Sequence, residues 1–297
     1  MTDISIIVRT KNEERWIGHC LAMLEKQDYK DFEVIIVDNE SNDHTLEVAK
    51  RYNIAKFVSI SKFLPGNAIN EGIKVSRGKY IVCLSAHCIP KETDWLSTLR
   101  KNFDTDENIA GVYGRQLPVS FTDDVDVRDL LLVFGQDRRV QIKDYFFHNA
   151  NSMFPRKVWE QFPFDEEVTN IEDRVWGKAV IESGYNIIYD PAATVYHHHG
   201  LHQGNTPKRA KGVVSIIKKV DSDVLNGLPK SLHPDNVTIV AIVPIQGEIK
   251  SGSLNERLLE KTIFSLKNED YVDSIYLVTS NLVYADKYSV NVINRAE

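Results

Sequence analysis

The sequence predicts an α/β protein with a mainly parallel sheet flanked by helices, and three observations carry that expectation. Apolar runs rich in β-formers stop abruptly at polar residues at Ile4–Val8, Glu33–Val37, Lys56–Ile60 and Tyr80–Leu84. Helical patterns separate them, giving the βαβαβ alternation of a parallel sheet with helices on its faces. A second strand–loop–helix–strand start follows Val237, which predicts a partial second α/β unit at the C-terminus.

Each element has its own signal. Trp16, Cys20, Leu21 and Leu24 recur at helical spacing, as do Leu46, Ala49 and Lys50 after a Ser/Asn/Asp cap. A third helix is expected over Asn67–Ser76, stopped at Gly78. Asp94–Phe103 reads as a helix entered through Thr93 or Asp94, and Gly111–Gln116 as a strand. Ser120–Lys143 mixes charges with LLLVF, the pattern of a partly exposed helix or loop. A short helix over Arg156–Gln161 follows Pro155, a longer one spans Ile171–Ser183 up to Gly184, and Tyr185–Tyr189 is a strand before Pro191. Beyond Gly204 the composition turns basic. Lys208–Leu225 is an amphipathic helix with Val213, Ile216, Ile217 and Val220 on one face, and GLPKSLHPDN reads as a linker.

Bulk properties narrow the function. The chain has 297 residues, a formal charge of −6 and 42% hydrophobic residues, enough for a sizeable core. The acidic balance argues against a nucleic-acid partner. No apolar run is long enough to span a bilayer, and MTDISIIV lacks the positive start and cleavage site of a signal peptide. Cys20, Cys83 and Cys88 form no disulfide framework, so the expected location is cytoplasmic.

Thr10, Asn12, Glu13 and Asp38 stand at adjacent strand ends, where ligands of open α/β sheets collect. Short polar and acidic groups there suit a nucleobase edge and ribose hydroxyls. The alternative is a turn and helix cap. A second constellation is FLPGNAINEGIKVSRGKYIVCLSAHCIP, from Phe63 to Pro90. Together with SIIVRTKNEE and EVIIVDNESNDHT, this stretch resembles family 2 inverting glycosyltransferases, in particular the rhamnosyltransferase-like branch, over about Ile4 to Gly200.

The resemblance implies a GT-A (Rossmann-like) fold and transfer of a sugar from a nucleotide-sugar donor to a glycan or lipid-linked acceptor hydroxyl. It implies that Thr10, Glu13 and Asp38, with Asn12, hold the nucleoside and that Asn70 lies near the ribose or diphosphate. Ser85-Ala86-His87 occupies the position of the family's Asp-x-Asp-like motif, whose carboxylates bind a divalent ion. Ser85 and Ala86 join the nucleotide-binding set. His87 either helps hold the metal or hydrogen-bonds the diphosphate. Imidazole tolerates Mn²⁺ better than Mg²⁺, so the divalent cofactor is Mn²⁺ or Mg²⁺ with the ion left open.

Asn170-Ile171-Glu172-Asp173 matches the family's Glu-Asp motif, which implies Asp173 as general base with Glu172 second. Acids at a helix start also stabilise its dipole without chemistry. In VYHHHG, the resemblance points to His197 as a metal or diphosphate ligand, and His199 shares its side of an extended chain. A zinc site drawing on His87 and Cys88 is the alternative there, without Cys-pair spacing to support it. Trp176 and Tyr145 could stack on a sugar or fill the core, and Arg138 and Arg139 could meet an acceptor phosphate or water.

The expected organisation is a glycosyltransferase domain over 1–205, a basic helix and linker over 206–236 and the partial unit over 237–297. The last, VTIVAIVPIQGEIKSG, resembles the start of a sugar-acid cytidylyltransferase. It lacks that family's Arg, with Ile245-Gln246 in its place. The rival functions are therefore sugar nucleotidyl transfer and non-catalytic nucleotide-sugar binding. The basic helix invites a peripheral contact with the inner membrane or docking on the domain, and an exposed sheet edge would favour a homo-oligomer.

Overall fold

The computed structural model describes residues 2–104, 106–200, 207–222, 238–269 and 272–294, and the chain divides into two compact units, Met1–Ser222 and Asp223–Glu297. The expected linker over 227–236 lies outside the described residues, as does His202. In the first unit the chain runs β1 (Ile4–Thr10), α1 (Ile17–Glu25), β2 (Phe32–Asp38), α2 (Thr45–Ala49), β3 (Lys56–Ser59), α3 (Pro65–Lys74) and β4 (Tyr80–Ser85). It continues through β5 (Cys88–Pro90), α4 (Trp95–Lys101), β6 (Ile109–Leu117), α5 (Asp124–Val133), β7 (Arg139–Gln141) and β8 (Asn151–Pro155). The last elements are α6 (Arg156–Gln161), α7 (Glu172–Glu182), β9 (Asn186–His197) and α8 (Pro207–Val220).

One sheet, ordered β3-β2-β1-β4-β8-β6-β9-β5 with β7 added on β9, forms the middle layer. The strands β3-β2-β1-β4 are parallel, and β6 pairs parallel with β9. Antiparallel β8 is inserted between β4 and β6. Successive side chains of a strand point to opposite faces, so a strand covered on both sides reads as a continuous apolar run. Thus Ile4, Ile6 and Val8 pack with Ile17 and Leu21 of α1 and Trp95 and Leu99 of α4. On the other face Ile7 packs with Ile69 and Ile73 of α3 and Trp176 and Val180 of α7. All three cysteines are buried and free.

Two irregularities place the site. β9 passes through Pro191, which the sequence reading took as the end of a strand. The register of β9 against β6 shifts between Gly114 and Gln116, next to that proline, and bulges are where a sheet accepts a missing N–H. Gly114 is required there, because a Cβ would stand 1.9 Å from the Ala193 carbonyl oxygen. The strand therefore carries on to His197. The second irregularity is Ile171, the residue before α7, at φ 51° and ψ 33°. A β-branched residue in the left-handed region is strained, and such strain is held in place by surrounding contacts.

Helix α3 begins at Pro65, two residues before its expected start, because proline suits the first helical position. Its Asn70 is a latch. The amide nitrogen donates to the Phe164 carbonyl and to Glu166 at 2.9 and 2.8 Å, while the amide oxygen accepts from Trp159 Nε1 at 2.8 Å and from the Phe164 N–H.

The second unit is a parallel sheet β10 (Val240–Pro244), β11 (Ser274–Thr279) and β12 (Asn291–Asn294) in that order. Helices α9 (Leu254–Lys267) and α10 (Val283–Tyr288) supply Leu259, Ile263, Tyr284 and Tyr288 to its core around Leu277. Ser253 caps α9 by accepting from the Glu256 N–H. Among the described residues, no helix is long and apolar enough to cross a membrane.

Replacing Asn70 with alanine would leave the Trp159 indole N–H and the Phe164 carbonyl without their partner. The expected loss is about 2–3 kcal/mol of stability, read from the urea midpoint at unchanged slope.

Candidate active site

The loops that follow β1 and β2 are stitched to each other. Asp38, buried at the end of β2, accepts from the Ser41 N–H and hydroxyl at 2.9 and 2.5 Å. Ser41 in turn accepts from the Asn12 N–H, and the Asn12 side chain accepts from the Asn42 N–H. Thr45 accepts from the Glu13 N–H at 2.6 Å. Asn12 sits at φ 54°, a conformation that asparagine tolerates. These contacts turn the Glu13 carboxylate away from the loop and onto His87, with 2.7 Å between Oε1 and Nδ1.

The acids at the start of α7 have unlike surroundings. Glu172 is buried and accepts from Arg9 and from the Asn149 amide, both at 3.2 Å. Asp173 is half-buried and accepts only backbone N–H bonds, from Asn149 at 3.2 Å and Arg174 at 2.8 Å. Burial pushes both carboxyls above their ordinary range; for Glu172 the neighbouring Asp173 adds to this, and Arg9 offsets it only in part.

Three imidazoles gather across from these acids. The rings of His87 and His197 stack at 5.0 Å, and His199 lies 4.4 Å from the first and 4.6 Å from the second. His197 is buried and its Nδ1 is 2.6 Å from Gln116 Oε1, while its Nε2 has no partner among the described residues. Gln116 continues to His148 Nδ1 at 2.9 Å. Burial, then the neighbouring His87, holds His197 well below the usual range and His199 down to about 4. Burial likewise takes His148 down to about 4.

A cavity of about 690 Å³ joins these parts. Its walls include Thr10, Glu13, Ser85, His87, Glu172, Asp173, His197 and His199 from the expected set. Asn12, Asp38, Asn70 and Ala86 are not among its lining residues. Asn12 and Asp38 shape the loops, Asn70 is committed to the latch, and Ala86 is packed in the core. His198 points elsewhere, onto Trp16 at 5.0 Å. Trp176 is core, packed on Phe147, Phe154 and Phe164. Tyr145 donates to Asp221, Arg138 to Asn102, and Arg139 lies over Tyr189. Helix α8 lines the cavity with Arg209, Val213, Val214 and Ile217, and Val214 is 47% exposed.

Residues 5–162 match the model of glycosyl transferase family 2, more than half of the chain. The chain belongs to this family. It is 27% identical over 213 residues to the O-antigen chain rhamnosyltransferase WbaN of Salmonella anatum, covering 67% of each. The fold is similar to Staphylococcus aureus TarS 1-349 in complex with UDP-GlcNAc, at TM-score 0.60 and 18% identity, over 77% of this chain and 68% of that one. It is also similar to the mannosyltransferase PcManGT of Pyrobaculum calidifontis in complex with GDP-Man and Mn²⁺, at TM-score 0.57 and 21% identity, over 76% and 65%. The chain spans about two thirds of the length of these proteins.

This glycosyltransferase carries site residues that sequence reasoning missed: Arg9, Gln116 and His148. Arg9 lay within the quoted motif SIIVRTKNEE, yet nothing local separated it from an exposed cation. In the fold, Arg9 Nε and Thr10 Oγ1 are buried without a partner among the described residues. Unsatisfied polar atoms of this kind are exceptional in native proteins and suit a site that meets a polar ligand.

Arg9 and Glu172 form a buried pair, with side chains 14% and 7% exposed. Arg9→Ala alone is expected to cost about 3–5 kcal/mol, since it strands a buried carboxylate. Adding Glu172→Gln should recover much of that loss, a coupling that chemical denaturation of the double-mutant cycle would read.

Proposed function

We propose that this glycosyltransferase moves a sugar from a nucleotide-sugar donor to a hydroxyl of a glycan or lipid-linked acceptor, with inversion, in the synthesis of a surface polysaccharide. The observation that carries the reading is that Asp173 and the imidazole cluster open onto one cavity. Thr10, Glu13 and Ser85 would line its nucleoside and diphosphate end, with Asn12 and Asp38 acting through the shape of the loops. The O-antigen chain rhamnosyltransferase and the poly(ribitol-phosphate) N-acetylglucosaminyltransferase among the relatives support the polysaccharide setting.

The side chains present fit a divalent ion. His197 Nε2 is a buried nitrogen with no partner among the described residues, and the rings of His87 and His199 are within 5 Å of its own. These three would hold the ion, and when bound it would neutralise the diphosphate leaving group. The Mn²⁺ complex of the mannosyltransferase supports such an ion.

The remaining chemistry belongs to this chain's residues. Asp173 accepts the acceptor's hydroxyl proton as the oxygen attacks the anomeric carbon. The new C–O bond forms as the bond to the diphosphate oxygen breaks, and the nucleoside diphosphate leaves on the opposite side. Asp173 suits the role because its two N–H donors orient it, while burial raises its basicity. Glu172, whose Oε1 accepts from both Arg9 and Asn149, anchors the start of the helix instead.

The apolar wall of Val213, Val214 and Ile217 lies on the side of α8, beside the exposed Lys208, Lys211, Lys218 and Lys219. That pairing supports a lipid-linked acceptor and contact with an anionic membrane surface. Exposed Ile242 and Ile293 in the second unit favour a homo-oligomer. That unit's likeness to a cytidylyltransferase start rests on its first strand and loop, and we assign it no nucleotidyl transfer.

Asp173→Asn should lower kcat by about 10²–10⁴-fold while donor binding, measured by titration calorimetry with UDP, dTDP, GDP and CMP sugars, persists. Unchanged turnover would remove the base assignment, and silence across the whole nucleotide panel would remove the reaction.

The base works only when ionised, and its folded-state pKa is raised. Activity of the wild type should therefore fall as pH drops through an apparent pKa above the ordinary aspartate range, seen in kcat/KM against pH. The same shift makes the fold lose stability as pH rises through that pKa.

A further inference from the structure

The hydrogen bonds around the histidines decide which nitrogen of each ring is free. His87 Nδ1 meets Glu13 Oε1 at 2.7 Å, His197 Nδ1 meets Gln116 Oε1 at 2.6 Å and His199 Nδ1 meets the Gly200 carbonyl at 3.3 Å. All three partners are oxygen acceptors, so each Nδ1 carries the proton. The orientation of Gln116 is fixed from its other end. The Ala150 N–H points at His148 Nδ1, which makes that nitrogen an acceptor, and Gln116 must therefore present its NH₂ to it and its oxygen to His197.

Three Nε2 lone pairs remain, on rings 4.4 to 5.0 Å apart. A neutral Nε2 repels a phosphate oxygen and attracts a metal ion. Histidine ligands are held in this manner, with the far nitrogen donating to a carboxylate or carbonyl. One ligand atom each of His87, Cys88 and His197 lie within 4.8 Å of one another, but the Cys88 side chain is wholly buried in the apolar cluster with Cys20 and Ala86, whereas His199 lines the cavity with the other two histidines.

We propose that His87, His197 and His199 bind, through Nε2, a nitrogen-preferring divalent transition ion in preference to Mg²⁺, and that Glu13 and Gln116 are the positioning residues that make those nitrogens available. This rests on the reading of the cavity as the donor site. Affinity at nitrogen sites rises along the first-row series, whereas Mg²⁺ prefers oxygen and keeps its waters.

The test is calorimetric titration of the full chain, free of any polyhistidine tag and without nucleotide, with CoCl₂, ZnCl₂, MnCl₂ and MgCl₂. Co²⁺ and Zn²⁺ should bind one to one, Mn²⁺ more weakly, and Mg²⁺ least. The Co²⁺ absorption spectrum should show ligand-field bands without a thiolate charge-transfer band. Gln116→Met and Glu13→Ala should each weaken Co²⁺ binding by about 10–100-fold. Gln116→Glu, whose carboxylate still accepts from His197, should retain it.

Mg²⁺ binding as tightly as Co²⁺, a thiolate band, or unchanged affinity in natively folded Gln116→Met and Glu13→Ala would each overturn the proposal. Circular dichroism reports folding, and Glu13→Ala, in a surface loop, decides the matter where the core variant misfolds. Nucleotide-sugar binding is measured separately. Donor binding with a Mg²⁺ preference would sink this proposal and leave the transfer reaction standing. Co²⁺ binding without any donor binding would do the reverse.

Discussion

A buried ion pair between Arg9 and Glu172 holds the two halves of the site together. Arg9 is the penultimate residue of β1, in register with Val37 on one side and Ser85 on the other. Glu172 opens α7 and is preceded by the strained Ile171. The same carboxylate holds the Asn149 side chain, and the Asn149 backbone N–H reaches Asp173. One contact thus fixes the end of β1, the approach to β8 and the first turn of α7. Taking two charges out of water is costly, and hydrophobic residues of equal volume would stabilise such a position as well or better. What the pair provides is geometry. The backbone strain at Ile171, of the order of 1–3 kcal/mol, is carried for the same end.

The central βαβ pattern was legible because both faces of β1, β2 and β4 are covered, which makes each strand an uninterrupted apolar run. The antiparallel strands were not. β8 opens with Asn151 and Ser152, whose polarity is resolved only by distant partners: Asn151 accepts from Trp95 and donates to the Ala193 carbonyl. Asp173 and His197 could be found only through the resemblance of the Asn170–Asp173 and VYHHHG stretches to family motifs, since acids at a helix start and histidines near a strand end are ordinary by position. Gln116 and His148 could not, because β8 lies between β4 and β6 only in the folded sheet. That insertion brings residues 116, 148 and 197 into one hydrogen-bonded chain.

Short polar loops read alike whether they face a ligand or each other. Asp38 reads as a ligand contact, with a turn and helix cap as the alternative, and in the fold Asp38 holds Ser41 while Ser41, Asn42 and Thr45 pair with the loop after β1. Asp, Asn, Ser and Thr bond neighbouring backbone readily, so this outcome is the ordinary one. It does not detach Asp38 from the site. Through Ser41 and the Asn12 N–H, the acid sets the loop from which Glu13 reaches His87.

Exchanging an acidic pair for imidazoles changes the charge of the site as well as its ligands. Two carboxylates bring two negative charges close to a diphosphate that is itself anionic. Imidazoles bring none, and Glu13 reaches the site through its contact with His87. Less negative charge then opposes the diphosphate, both when it binds and when further charge develops on the departing oxygen. Electrostatic stabilisation is worth most where it acts on charge that appears in the transition state. Besides Glu13, the carboxylates that line the cavity are Glu172, neutralised in part by Arg9, and Asp173, the proposed base. On the proposed reading, Glu172 and Asp173 would serve the acceptor side and the imidazoles, with Glu13 behind His87, the donor side, a division that would let Asp173 stay basic without raising the cost of releasing the diphosphate.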